Sequence, residues 1–148
     1  MIYCVPFIIF VLDWASKYIA QTHLQAHTPV YVLPFFNFYL AFNPGISFSM
    51  LQANSSRGVC LLIGIACIIC SFILYIFRKE RDEWTRFALM LVLGGAIGNV
   101  WDRIRYGVVI DFLDFHLGNH HWPAFNIADS AICIGVAIML WKLLKGKK

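Results

Sequence analysis

Charge is what this sequence has least of. Only 14% of its 148 residues are Asp, Glu, Lys or Arg, while 60% are hydrophobic. Soluble domains carry roughly a quarter charged residues, so an ordinary water-soluble domain is excluded. Cysteine is present but not in a usable pattern. Cys4, Cys60, Cys67, Cys70 and Cys133 are odd in number and all lie inside apolar stretches, which argues against a disulfide framework or a zinc cluster. "CIIC" at 67–70 has the spacing of a redox pair, yet within an apolar helix it reads as packing. The chain opens without a basic segment or a small-residue cleavage site, and Asp13 and Lys17 interrupt its first apolar run. That run is expected to remain as a membrane span rather than to be a cleaved signal peptide. Also missing are an H-E-x-x-H motif, a glycine loop following a nucleotide-binding strand, a nucleophile-elbow serine and a basic patch interleaved with aromatics. No metal, no cofactor and no nucleic-acid partner is expected.

What the sequence does have is long apolar runs. The clearest, 58–77, is uncharged and bracketed by Arg57 and Arg78; the others cover about 1–20, 86–103 and 124–142. Each approaches the roughly 20 residues a helix needs to cross a bilayer. The expected fold is an all-α membrane protein, one domain over 1–148, with four transmembrane helices and outer connections at 21–57 and 104–123. Lys and Arg set its orientation. Arg78, Lys79, Arg81 and Arg86 surround the short second connection, and Lys142, Lys145, Lys147 and Lys148 follow the last helix. Both termini are therefore expected in the cytoplasm, and the net charge of +4 is an orientation signal. Asp13, Asp102, Asp111, Asp114 and Asp129 then all gather at the outer face. Ionisable residues at a membrane are costly enough to mark function by default. "FFNFYLAF", 35–42, followed by "NPG", suits a strand on a lipid surface and a tight turn. With "ISFSML" returning, it makes a small extracytoplasmic β-ribbon platform. Tyr18, Tyr31, Tyr39, Trp101, Tyr106 and Trp122 supply an outer aromatic belt.

Each polar motif has a plain reading to set against a functional one. Asp13 and Lys17 are four apart, on one helix face, and serve equally as a structural ion pair or as substrate contacts. Gly94 and Gly98 share a face suited to close helix packing. Asn99 and Arg103 share another, and buried amides and guanidinium groups must find partners. His116, His120 and His121 lie in a turn-rich loop and read as solvated rather than metal-binding. A Ser16–Lys17 hydrolase is disfavoured because adjacent helical residues point about 100° apart. There remain carboxylates at a dry boundary, two of which can share a proton so that one activates water and the other polarises a carbonyl. Which two of the five do so is open on these grounds. A proton relay would place ionisable groups through the full membrane depth, and the inner halves of these runs have none. A lipid-binding scaffold would not need two acids beside two asparagines.

The blocks "DWASK" (13–17), "NPGISFS" (43–49), "GGAIGNVWDRIRYGVVIDF" (94–112) and "PAFNIADS" (123–130) occur in an order that resembles the lipoprotein signal peptidases. These, the signal peptidase II family, are aspartic peptidases of the bacterial inner membrane, and the resemblance covers essentially the whole chain. It implies a catalytic dyad at Asp111 and Asp129, with Asp13, Lys17, Asn43, Gly45, Asn99, Arg103 and Asn126 supporting the site or the substrate. The implied reaction is endopeptidic: a dyad-activated water removes the signal peptide of diacylglyceryl-modified prolipoproteins on the amino side of the lipidated Cys, without a cofactor. The implied partners are lipidated prolipoproteins, membrane phospholipid and globomycin-type inhibitors, with the site at the periplasmic face. The chain departs from the family pattern at Trp14 and Ser16, where Gln and Thr are frequent, and at Pro44 and Ile46, where Thr and Ala are common.

Overall fold

The computed structural model describes residues 2–45 and 56–145. Among them are four helices, each long and apolar enough to cross a membrane. They are α1 (Val5–His23, entered by a 3-10 turn at Ile2–Cys4), α2 (Ser56–Lys79), α3 (Glu83–Tyr106) and α4 (Ile127–Lys145). Their ends differ by a few residues from those read off the apolar runs, and local chemistry accounts for this. α1 starts with Pro in its first turn, where a missing N–H costs nothing. α3 starts early because the Asp82 carboxylate accepts hydrogen bonds from the Thr85 amide (2.8 Å) and hydroxyl (2.9 Å). It stops at Gly107, whose φ of 75° is left-handed and whose N–H returns to the Arg103 carbonyl. Asp82 also meets Lys142 at 2.6 Å. Lys142 first, then the Thr85 amide, holds its carboxyl down at about 2. This contact ties the α2–α3 connection to the end of α4.

α3 is the central helix, with α1, α2 and α4 packed around it. Between helices in lipid, close van der Waals packing replaces the hydrophobic drive, so small residues decide what can approach. Gly94 and Gly98 share a face, as their spacing predicts, and that face meets α1. A Cβ at Gly94 would lie 2.9 Å from both Ile9 Cβ and Pro6 Cα, and one at Gly98 would lie 2.6 Å from Asp13 Oδ2. Gly95 faces α4, where a Cβ would run into the Ala128 carbonyl oxygen and sit 2.8 Å from Ile132 Cγ1; Gly135 of α4 is likewise pressed on the Ala88 carbonyl. Backbone cannot yield as a side-chain tip can. Gly95→Ala is therefore expected to lower stability by about 1–3 kcal/mol, read as thermal unfolding in detergent. Gly64→Ala, with nothing within 4 Å of its Cβ, should cause no loss. α2 packs Ile73 and Phe77 against Leu89, Met90 and Leu93 of α3, and leaves Leu61, Ile68 and Phe72 on an exposed face suited to lipid.

The sheet is larger than the ribbon expected from the sequence. β1 (Val30–Leu33), β2 (Phe36–Asn43), β3 (Val109–Leu117) and β4 (His120–His121) form one antiparallel sheet in that order. The connection expected at 104–123 thus contains two strands, and β2 pairs with β3, placing Ala41 opposite Asp111 and Asn37 opposite Asp114. The segment "ISFSML", expected to return beside β2, lies outside the described residues. β3 starts directly after α3, and its first four residues are buried. There Ile110 and Phe112 join Leu40 and Ala20 in a small core between sheet and helix ends. β1 is exposed throughout. Tyr18, Tyr31, Trp101, Tyr106 and Trp122 of the expected belt are exposed as well.

Candidate active site

The site grows out of the first turn of α4. Asn126 precedes the helix, and its Oδ1 accepts the Asp129 N–H at 2.9 Å, while Asp129 Oδ2 accepts the Asn126 N–H at 3.3 Å. This is a reciprocal capping box with Asp where Glu or Gln is usual. It fixes the Asp129 carboxylate at the positive end of the helix dipole. The cap leaves the Asn126 amide NH₂ free to reach across to β3, where it donates to Asp111 Oδ1 (2.8 Å) and the Ile110 carbonyl (3.2 Å). Asn126 is wholly buried, and this one residue holds both carboxylates, Asp111 through its side-chain amide and Asp129 through its backbone N–H. Asp111 Oδ2 accepts a second amide hydrogen from Asn43 at the end of β2 (3.1 Å), whose own oxygen accepts the Gly45 N–H (3.0 Å). Burial above all, and then the charge of Asp129, pushes the Asp111 carboxyl up to about 7.

A second layer lies against the helices. Lys17, 2% exposed, meets Asp13 and Asp102 at 2.7 Å each and donates to Asn99 Oδ1 at 3.3 Å. An ammonium has donors only, so Asn99 must turn its oxygen to Lys17 and its NH₂ away. That NH₂ donates to Asp129 Oδ1 at 2.7 Å. The two acids paired with Lys17 also hold backbone. Asp13 accepts the N–H of Ala128, just before Asp129 (2.8 Å), and Asp102 accepts that of Ile110, just before Asp111 (3.2 Å). Of the two readings of Asp13 and Lys17, the buried ion pair is the one this geometry has. Asp102 is the residue that sequence reasoning did not place among the supports. The available signal was its position three residues after Asn99, which puts both on one face of α3. Arg103 donates to the Gly45 carbonyl (2.8 Å) and the Asn99 carbonyl (3.2 Å), tying the end of β2 to α3.

Asp114 belongs to a different cluster. It accepts from Asn37 (3.0 Å) and meets His121 Nδ1 at 2.9 Å, and the His121 ring stacks on His116. Among the described residues, no three His, Cys, Asp or Glu side chains converge as a metal-ligand set. Three of the five aspartates expected at the outer face thus have Lys17 or His121 as partner. Asp111 and Asp129 are held by asparagines instead. Asp129 lines a groove of about 350 Å³ together with Asn43, Asn99 and Arg103 and the apolar Leu62, Ile65, Ile69 and Ile132; Asp111 lies behind this lining, bonded to Asn43. A cleft of similar size on the other side, lined by Ile19, Ala20, Phe38 and Phe112, contains no carboxylate.

The chain as a whole is similar to proteins of known identity. The family described as "Signal peptidase (SPase) II" matches residues 5–145. A lipoprotein signal peptidase of Polynucleobacter necessarius is 46% identical over 143 residues, covering 95% of this chain and 87% of that one. One of Francisella tularensis subsp. novicida is 41% identical over 144 residues, covering 95% and 89%. A bacterial membrane enzyme solved in meso at 2.3 Å resolution superposes with a TM-score of 0.90 at 29% identity, over 99% of this chain and 89% of the other. A second, at 1.9 Å resolution, gives 0.86 at 31% identity, over 97% and 92%. The family match runs from the first residue of α1 to the last of α4 and takes in every group described above: the chain belongs to the signal peptidase II family, as a multi-pass membrane peptidase.

Proposed function

We propose that this protein is an aspartic endopeptidase that removes the signal peptide of diacylglyceryl-modified prolipoproteins, cutting on the amino side of the lipidated Cys. The observation that carries this reading is the double grip of Asn126, which joins two carboxylates held by amides rather than by a cation, one from β3 and one from α4, the latter lining an apolar groove. Asp111, pushed up to about 7, holds the shared proton. Asp129, at the helix N-terminus, takes a proton from water as that water attacks the scissile carbonyl carbon. Asp111 donates its hydrogen to the carbonyl oxygen, and the tetrahedral species collapses as Asp111 takes one hydroxyl proton back, the C–N bond breaks and the proton on Asp129 passes to the leaving amine. Asn99, Asn43 and Asn126 keep both carboxylates aimed, with Lys17 and Asp13 behind them, and Arg103 and Gly45 close the polar end of the groove. The apolar length of the groove suits a signal helix or an acyl chain arriving sideways through the lipid, and globomycin-type inhibitors are expected to compete for it.

The same reading puts both termini in the cytoplasm and the sheet at the periplasmic face of the bacterial inner membrane. Its support is the Lys and Arg cluster at the end of the helices away from the dyad. Purified protein incubated with a diacylglyceryl-modified precursor, resolved on a gel, tests the activity. Equal cleavage of the unmodified precursor would remove the lipid from the proposal.

The Asp111 proton predicts two pH dependences. An unfolded Asp loses its proton above about 4, whereas folded Asp111 keeps it to about 7. Between those values the folded state binds more protons. The Asp111 contribution is therefore fully present below about 4, declines as pH rises and is lost once pH passes about 7. Subtracting the Asp111→Asn unfolding profile from that of the wild type should isolate this downward slope. Cleavage should fall in parallel above about pH 7, as the pair loses its shared proton. A difference profile that rises across the window would contradict the assignment of the proton to Asp111.

A further inference from the structure

At the end of the helices away from the dyad, a cavity of about 510 Å³ opens between the starts of α1 and α3 and the end of α2. Its walls are amphipathic: Tyr3, Leu74, Phe77 and Met90 on one hand, Arg78 and Arg86 on the other. The Arg86 guanidinium lies over the Phe77 ring at 4.6 Å and donates from Nη2 to the Tyr3 hydroxyl at 3.2 Å. Among the described residues its one ion-pair partner is Glu83, at 3.8 Å and 70% exposed, a weak and solvent-screened partner. Among the described residues its Nε is buried and has no hydrogen-bond partner. Buried N–H groups are nearly always satisfied, more so on a cation, so this one calls for an acceptor. The neighbouring acids are already engaged. Glu80, which also lines the cavity, accepts the backbone N–H groups of Arg81 and Asp82 (2.7 and 2.8 Å), and Asp82 holds Lys142.

We propose that this cavity binds an anionic phospholipid, its phosphate on Arg86 with Arg78 at the rim and an acyl chain along Leu74 and Met90. A guanidinium offers phosphate a planar fork of N–H donors, and basic pockets between membrane helices on the cytoplasmic side are where anionic headgroups bind. Tyr3 and Leu74 are 71% and 41% exposed, which leaves a lateral entrance from the lipid. The bound lipid clamps three helix ends. Its assignment to the cytoplasmic leaflet rests on the orientation proposed above; binding itself does not depend on the peptidase reading.

The test uses full-length protein, delipidated in detergent, and reads thermal unfolding together with lipid retained in native mass spectrometry. Phosphatidylglycerol should be retained and should raise the unfolding midpoint, while phosphatidylcholine and inorganic phosphate should do neither. Arg86→Gln, which removes the fork, and Leu74→Trp, which fills the apolar part, should each weaken phosphatidylglycerol binding by about tenfold or more, the scale of one charge-assisted hydrogen bond. Arg81→Gln removes the same charge from an exposed position that does not line the cavity, and should bind as wild type. An equal effect of phosphatidylcholine, reproduction by phosphate alone, or equal losses in Arg81→Gln and Arg86→Gln would overturn the proposal. If Arg86→Gln does not fold, Leu74→Trp decides: undiminished binding there excludes this cavity.

Discussion

Asp111→Asn and Asp129→Asn should each slow cleavage by at least about 10²- to 10⁴-fold, the range assigned to a positioned acid or base. An amide can neither take the proton of water nor supply one to a carbonyl oxygen. The double variant should be little slower than either single one, because groups that act as a unit do not contribute additively. Folding should survive in both. Asn is nearly isosteric with Asp, and a neutral amide is easier to bury than a carboxylate. In Asp129→Asn the single remaining oxygen cannot accept both the Asn126 N–H and the Asn99 amide, so one of these bonds is lost, at a cost of about 1 kcal/mol. Asp114→Asn is the matched control. Its partners are Asn37 and His121, neither of which touches Asp111 or Asp129, so it should retain cleavage. Wild-type rates in Asp129→Asn, or a dead Asp114→Asn beside an active Asp111→Asn, would mean that the working pair is a different one.

Lys17→Met should be the most damaging change away from the dyad. Lys17 is the only cation in ion-pair contact with Asp13 and Asp102 among the described residues, and all three are buried. Removing one partner of a buried ion pair typically costs about 3–5 kcal/mol, because the charge left behind has no compensation. The loss should appear in the thermal unfolding midpoint and in folded yield. Catalysis should drop for a separate reason: without a donor-only neighbour, Asn99 can rotate its amide and present oxygen to Asp129. Adding Asp102→Asn removes one orphaned charge while keeping an acceptor for the Ile110 N–H. The double variant should therefore recover part of the stability and none of the cleavage. Recovery of both together would reduce Lys17 to a purely structural role.

The four spans were legible because a bilayer imposes long apolar runs, and a run such as 58–77 has no other economical reading. That Gly94 and Gly98 share a close-packing face was legible for a similar reason, since helical spacing alone sets it; that α1 is the helix packed there was not. The sheet was harder. β3 is buried on both faces over Val109–Phe112 and carries Asp111 and Asp114, so it lacks the alternation that marks a half-exposed strand. It exists because β2, remote in sequence, pairs with it. Asn37 shows the same limit: in "FFNFYLAF" it reads as a lone polar residue on a lipid-facing strand, yet it is buried against Asp114. Asp102 carried no distinctive spacing toward Lys17, because ion pairs between helices leave no periodic trace. Spans and close-packed faces are local; the strand pairing and the brace behind the dyad depend on residues far apart in the chain.

At most helix starts Asn, Asp, Ser and Thr are close to interchangeable, and a lineage can drift among them. Position 126 does not have that freedom. Its side chain must accept the Asp129 N–H and, from the same terminal group, donate to Asp111. Aspartate would cap the helix but set a third negative charge between the other two. Serine and threonine would cap it too, but their single hydroxyl hydrogen lacks the second arm that reaches β3. Glutamine has both functions on a stem one methylene too long for the box. A substitution that is silent at another helix start would here keep α4 and strip Asp111 of its amide, so the ordinary neutral paths between capping residues are closed at this one codon.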